Sequence, residues 1–133
     1  MMVRWKLNQY VSPSGRKSID DRRKDLPVGA PRADMDVFLK FMVKALEWEY
    51  PDIDSLKGDR FAGLTELRWK SGRVPHRIFG YKTGDFEYLM LIGCTHNGKK
   101  YSPVDAMETA RTRKIQIENG EASTCEYRLI TDR

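Results

Sequence analysis

Arg68 and Arg77 stand inside strand-like runs, where a chain building only a core would place apolar residues. A guanidinium is planar, permanently charged and forked, so two of them on one small sheet suit the grip of a phosphate. Lys99-Lys100 follow the third such run, with His96 shortly before them and Tyr101 directly after. Adjacent antiparallel strands lie ~5 Å apart, a spacing that long basic side chains can bridge around one phosphate. Such a cluster can hold the scissile phosphate of RNA and offset the charge that grows on its oxygens. If it also aligns the neighbouring 2′-hydroxyl for attack, the backbone breaks without water as nucleophile and without a metal. The products are a 2′,3′-cyclic phosphate and a 5′-hydroxyl. An imidazole ionises near neutrality, which makes His96 the candidate for proton transfer. Glu66 shares a strand face with Arg68, whereas His76, next to Arg77, falls on the opposite face and reads as structural. Lys70, Arg73 and Tyr101 are further candidates for RNA contact.

Three strands must carry these groups. In Leu64–Lys70, Thr65, Leu67 and Trp69 share one face, while Leu64, Glu66, Arg68 and Lys70 share the other. Ser71-Gly72 opens a turn that Pro75 closes, and His76–Lys82 is the second strand. Thr83-Gly84-Asp85 supplies a hairpin turn to Phe86–Cys94, an apolar run that reads as a central strand covered on both faces. Short connections make the three an antiparallel meander. Upstream, Val3–Val11 alternates as a strand, Ser12-Pro13-Ser14-Gly15 is a turn, and Ile19–Leu26 is a short helix stopped by Pro27.

A second helix is expected over Asp34–Glu49, capped by Asp34 and stopped by Tyr50-Pro51. Its stripe of Met35, Phe38, Leu39, Met42, Ala45 and Leu46 is core packing against the sheet. Ser102 as N-cap and Pro103 at the first helical position predict a third helix running to Ile117 and ending at Asn119-Gly120. Ser123–Ile130 reads as an edge strand or an arm.

Composition agrees with a single α+β domain of 133 residues, large enough to bury a core without disulfides. Hydrophobic residues make up 40% and charged ones 32%, the balance of a globular chain. The N-terminal MMVRWKLNQY has neither the apolar core nor the cleavage site of a secretory signal, so the expected compartment is the cytoplasm. Net charge is +5, and the excess is concentrated over residues 61–103, which favours a polyanionic partner. Cys94, Cys125, His76 and His96 have none of the paired spacings of a zinc site, and Cys94 reads as a core residue. No Gly-rich phosphate loop, GxSxG or HExxH sequence occurs. No metal or cofactor is expected.

The run LTELRWKSGRVPHRIFGYKTGDFEYLMLIGCTHNGKKYSPVDAMETA resembles the RelE/HigB toxin superfamily, in particular its phage-derived HigB-like branch. The matching residues are Leu64–Arg68, Arg77-Ile78-Phe79, Leu89–Ile92, Lys99-Lys100, Pro103, Ala106 and Ala110. Tyr10–Arg16 is similar to the family's first strand and turn, and the resemblance spans most of residues 5–118. It implies a small antiparallel sheet, two N-terminal helices on one face and a C-terminal helix. It also implies an mRNA interferase, often acting on the ribosome and neutralised by a cognate antitoxin. A helix-turn-helix protein is the expected antitoxin, in a toxin–antitoxin hetero-oligomer. By the resemblance Arg77 is the strand arginine at the scissile phosphate, Arg68 a second basic group, and Lys99 or Lys100 the basic position after the last strand.

The chain departs from the family pattern at three places. Cys94–Gly98 stand where the family often has an aromatic residue before the lysine pair. Arg73-Val74-Pro75 lengthens the hairpin, and residues 120–133 have no counterpart. Two other functions fit the same fold: a gyrase-inhibiting toxin, and a catalytically inactive RNA- or protein-binding domain.

Overall fold

The computed structural model describes residues 3–129. The meander forms as its alternation predicts: β3 (Thr65–Ser71), β4 (Val74–Gly84) and β5 (Glu87–Asn97) pair antiparallel in sequence order. β2 (Ile53–Ser55) adds to the outer edge of β3. β1 (Lys6–Val11) lies parallel to β5 on the edge away from β4, and β7 (Ser123–Glu126) closes that side antiparallel to β1. β6 (Lys100–Ser102) folds back on the far end of β5. The result is an α+β protein whose sheet is antiparallel apart from the β1–β5 pair.

Period-two patterning sends alternate strand residues to two separate cores. Leu67, Ile78, Tyr88 and Met90 meet α1 (Ser18–Asp25) and α2 (Ala30–Lys44), whose Ile19, Met35, Leu39 and Met42 are fully buried. Phe79, Leu89, Leu91 and Cys94 join the other core, with Ala106 and Ala110 of α3 (Ala106–Glu118), where a register shift against β4 between Phe79 and Gly80 lets both odd and even residues of β5 reach that side. β5 is therefore covered on both faces, as its continuous apolar run predicts. Gly80 permits the close approach of β4 to β5, since a Cβ there would sit 2.1 Å from the Leu89 carbonyl oxygen.

The second helix departs from its expected bounds at both ends. It begins at Ala30 because Gly29, at φ 111°, turns the chain into it and Pro31 suits its first turn. Asp34 is then inside the helix and accepts the Ser71 hydroxyl at 2.6 Å instead of capping. At the other end two indoles take late carbonyls: Trp48 Nε1 donates to Met42 O and Trp5 Nε1 to Ala45 O, at 2.8 and 3.0 Å. The chain leaves helical geometry at Ala45, and Leu46, expected on the apolar stripe, is exposed. The third helix likewise starts later, at Ala106. Ser102 is committed to the ladder with Thr95, and Asp105 occupies the N-cap position. The C-terminal strand pairs with β1 over Ser123–Glu126, while the Ile130 end of the expected span lies outside the described residues.

Candidate functional site

On the α3 side of the sheet, β3 presents Glu66 and Arg68 beside Arg77 of β4. Register places Arg68 directly opposite Arg77 and Glu66 opposite Phe79. Two like charges in direct register repel, and Glu66 offsets them: its Oε1 is 3.8 Å from Arg68 Nε and its Oε2 is 3.8 Å from Arg77 Nε. Arg68 also approaches Asp54 of β2 at 3.6 Å and lies over the Tyr50 ring at 5.5 Å.

Arg77 is the more enclosed of the two, with 8% of its side chain exposed against 26% for Arg68. Its Nη1 donates to the His76 carbonyl at 2.9 Å, and its buried Nε has no hydrogen-bond partner among the described residues. Burial lowers its pKa, with Glu66 opposing that shift and Arg68 reinforcing it. Arg68, Lys70 and Arg77 line one open cleft of about 210 Å³, walled by Pro51 and Asp52.

β5 and β6 bring two further groups to this face. Tyr101 donates its hydroxyl to Glu66 Oε2 at 3.2 Å, packs edge-on against Phe79, and stacks on His96 at 4.4 Å. Burial pushes the Tyr101 phenol up to about 12, helped by the Glu66 carboxylate, so it stays protonated at neutral pH. Cys94 faces Arg77 across the ladder and is buried, and its thiol is pushed up to about 12 mainly by that burial. It is a packing residue there, not a thiolate nucleophile.

The structure thus gathers Arg68, Arg77 and Tyr101 around Glu66, with His96 stacked on Tyr101 and Lys70 on the cleft wall. It does not bring Lys99 and Lys100 over the arginines. Lys100 pairs with Asn97 and alternates with Tyr101, so its side chain leaves by the other face, and Lys99 is on the exposed turn. Arg73 is exposed on the β3–β4 turn. His76 occupies the opposite face, 4% exposed, in a stack with Trp69 and Phe38. Among the described residues no three His, Cys, Asp or Glu side chains are grouped to hold a metal ion.

Compared with protein-family models, curated proteins and solved structures, the chain matches none. The site therefore has to be read from its own chemistry.

Sequence reasoning missed Asp54 and Tyr50, because a three-residue strand after a proline carries too little alternation to be recognised. Tyr101, a candidate for RNA contact by sequence, reaches Glu66 because Lys100–Ser102 forms β6 where the sequence suggests a turn leading into a helix. The signal available was Tyr101 itself: an aromatic residue two places before Pro103, in step with the alternation of His96.

Proposed function

We propose that this chain is a type II toxin of the RelE/HigB kind, a cytoplasmic endoribonuclease that cuts mRNA, with the ribosome presenting the substrate. The observation that carries the reading is the direct opposition of Arg68, partly exposed, and Arg77, largely enclosed, both lining one cleft. Guanidiniums held by a rigid sheet meet the requirement for preorganised donors where charge develops on phosphate oxygens. The 2′-oxygen attacks phosphorus, the bond to the 5′-oxygen breaks, and a cyclic phosphate remains. In this reading His96 takes the 2′-hydroxyl proton. The Tyr101 phenol, kept protonated, is the hydroxyl beside it that can supply one to the leaving oxygen. The reaction draws its charge stabilisation from arginine and takes no metal.

Lys70, Arg73, Lys99 and Lys100 then serve the flanking RNA by charge, from the rim and not from the centre. A cognate antitoxin, acidic where it covers this face, completes the system.

A second reading, a binding domain without catalysis, is favoured by Glu66, whose carboxylate already compensates both arginines. Product ends separate the two. Incubation of mRNA with the protein, with and without ribosomes shown to remain intact, should yield 2′,3′-cyclic phosphate and 5′-hydroxyl termini at a rate insensitive to chelator. Retention of bound, uncut RNA would favour the binding domain, and a DNA-damage response on expression would favour a gyrase inhibitor.

A further inference from the structure

β5 has a gap in its pairing. On the edge away from β4, β1 covers Glu87–Met90 and β6 covers Thr95–Asn97, so the stretch from Leu91 to Cys94 has no strand partner there among the described residues. A cleft of about 370 Å³ opens at this gap, with Ile92 and Gly93 in its lining. Arg22 reaches it from α1 and Arg113 from α3.

Both guanidiniums are held in place by scaffold, not by acids. Arg22 crosses β5 over Gly93, where an added Cβ would come within 2.5 Å of the Arg22 Cγ. Arg113 Nη1 donates to the Leu91 carbonyl at 2.7 Å, and its guanidinium lies 4.7 Å over the Tyr10 ring. Neither arginine has an ion pair with a carboxylate among the described residues, and neither side chain is fully in solvent. Among the other partly buried arginines, Arg23 grips Asp36 with two bonds of 2.9 and 2.8 Å, Arg68 and Arg77 share Glu66, and Arg32 spends its fork on the Leu26 and Lys24 carbonyls.

The acids at this cleft do not fill the gap. Asp21 is engaged by Arg16 at 3.1 Å, and Asp25 is close enough for Arg22 to feel its charge without pairing. The Ser18 hydroxyl, one helical turn before Arg22, is buried and without a hydrogen-bond partner. Two partly buried guanidiniums without a carboxylate ion pair line this one cleft, an arrangement suited to an anion between them.

We propose that this cleft is a second anion site, which takes a phosphate group between Arg22 and Arg113 at the unpaired edge of β5. A tetrahedral oxyanion accepts from two forks arriving from opposite sides. The room exceeds that of a bare phosphate and is of the order that holds a small ligand, so the group is carried by a mononucleotide or by the RNA backbone. The site is separate from the Arg68/Arg77 face, since it lies on the other edge of β5 from the strand that carries Arg77.

The test uses the full chain labelled for amide NMR, titrated separately with inorganic phosphate, a nucleoside monophosphate and an uncleavable 2′-O-methyl RNA trinucleotide. Cleavage plays no part in the readout. Expected are saturable shifts of the Ile92 and Gly93 amides, with affinity about tenfold lower in Arg22→Met and unchanged in Lys57→Ala, an exposed lysine that lines neither cleft. Gly93→Ala keeps the charge but evicts the Arg22 stem, and should weaken binding in the same way. If Arg22→Met does not fold, Arg22→Lys keeps stem and charge and should still lose several-fold through the missing fork. Saturation by phosphate or mononucleotide identifies a free-phosphate ligand, and saturation by the trinucleotide alone identifies nucleic acid. Absence of saturation with all three, wild-type affinity in a folded Arg22 variant, or loss of the shifts in Lys57→Ala would overturn the proposal.

Discussion

Arg68 and Arg77 face each other across the β3–β4 ladder, and the two oxygens of one carboxylate, Glu66, each lie 3.8 Å from one of them. The arrangement resolves a conflict: phosphate binding asks for adjacent cations, whereas a sheet disfavours them in register. It also leaves Arg77 Nε with an unmet donor in the cleft-lining cluster.

Arg77 carries the first prediction. Arg77→Ala should lower single-turnover RNA cleavage by about 10²-fold or more, the scale for one preorganised transition-state contact. Arg77→Lys should recover little, because a point charge cannot reproduce a two-pronged grip. Full activity in a folded Arg77→Ala protein would falsify the assignment.

Glu66 carries the second. Glu66→Gln keeps an acceptor for Tyr101 and removes the charge between the arginines. RNA affinity at low salt should rise several-fold, while stability in urea falls by roughly 1–2 kcal/mol as like charges are left opposed. An unchanged affinity would mean that the carboxylate does not compete with RNA.

His76 gives a pH dependence. Burial, reinforced by Arg22 and Arg77 and opposed by Asp34, holds its imidazole below the ordinary 6.5. In the window between that depressed value and 6.5 the unfolded chain binds more protons, so stability rises with pH there and falls as pH drops. A urea-midpoint series from pH 7.5 to 5 should therefore be flatter for His76→Phe than for the wild type over that window. Parallel profiles would remove His76 from the account.

Packing sets the fourth. Leu39→Ala on α2 should cost about 2–5 kcal/mol, because its side chain is wholly buried in the helix–sheet core. Gly80→Ala should be at least as damaging, since the new methyl meets backbone that cannot move aside. A Gly80→Ala protein of wild-type thermal midpoint would contradict the close β4–β5 approach.

An antitoxin bound over the arginine face should hold less tightly as salt rises, and its footprint should include Arg68 and Tyr101 in hydrogen exchange. Salt-insensitive affinity, or protection confined to α1 and α2, would place the partner elsewhere.

The meander, its alternating faces and the opposition of His76 to Arg77 were legible in the sequence, because side-chain direction in a strand follows a strict period of two. The amphipathic stripe of α2 was legible for the same kind of reason, and Phe38 does stack on Trp69 at 5.0 Å. Helix ends were less so: Asp34 and Ser102 have the chemistry of caps, yet Ser71 and the β5–β6 ladder claimed them first. Only tertiary structure decided that β1 runs parallel to β5, that Tyr101 reaches Glu66 and Lys100 turns away, and that Arg22 and Arg113 line one cleft. Those facts depend on register and on contacts between residues far apart in the chain, and local sequence pattern has no term for either.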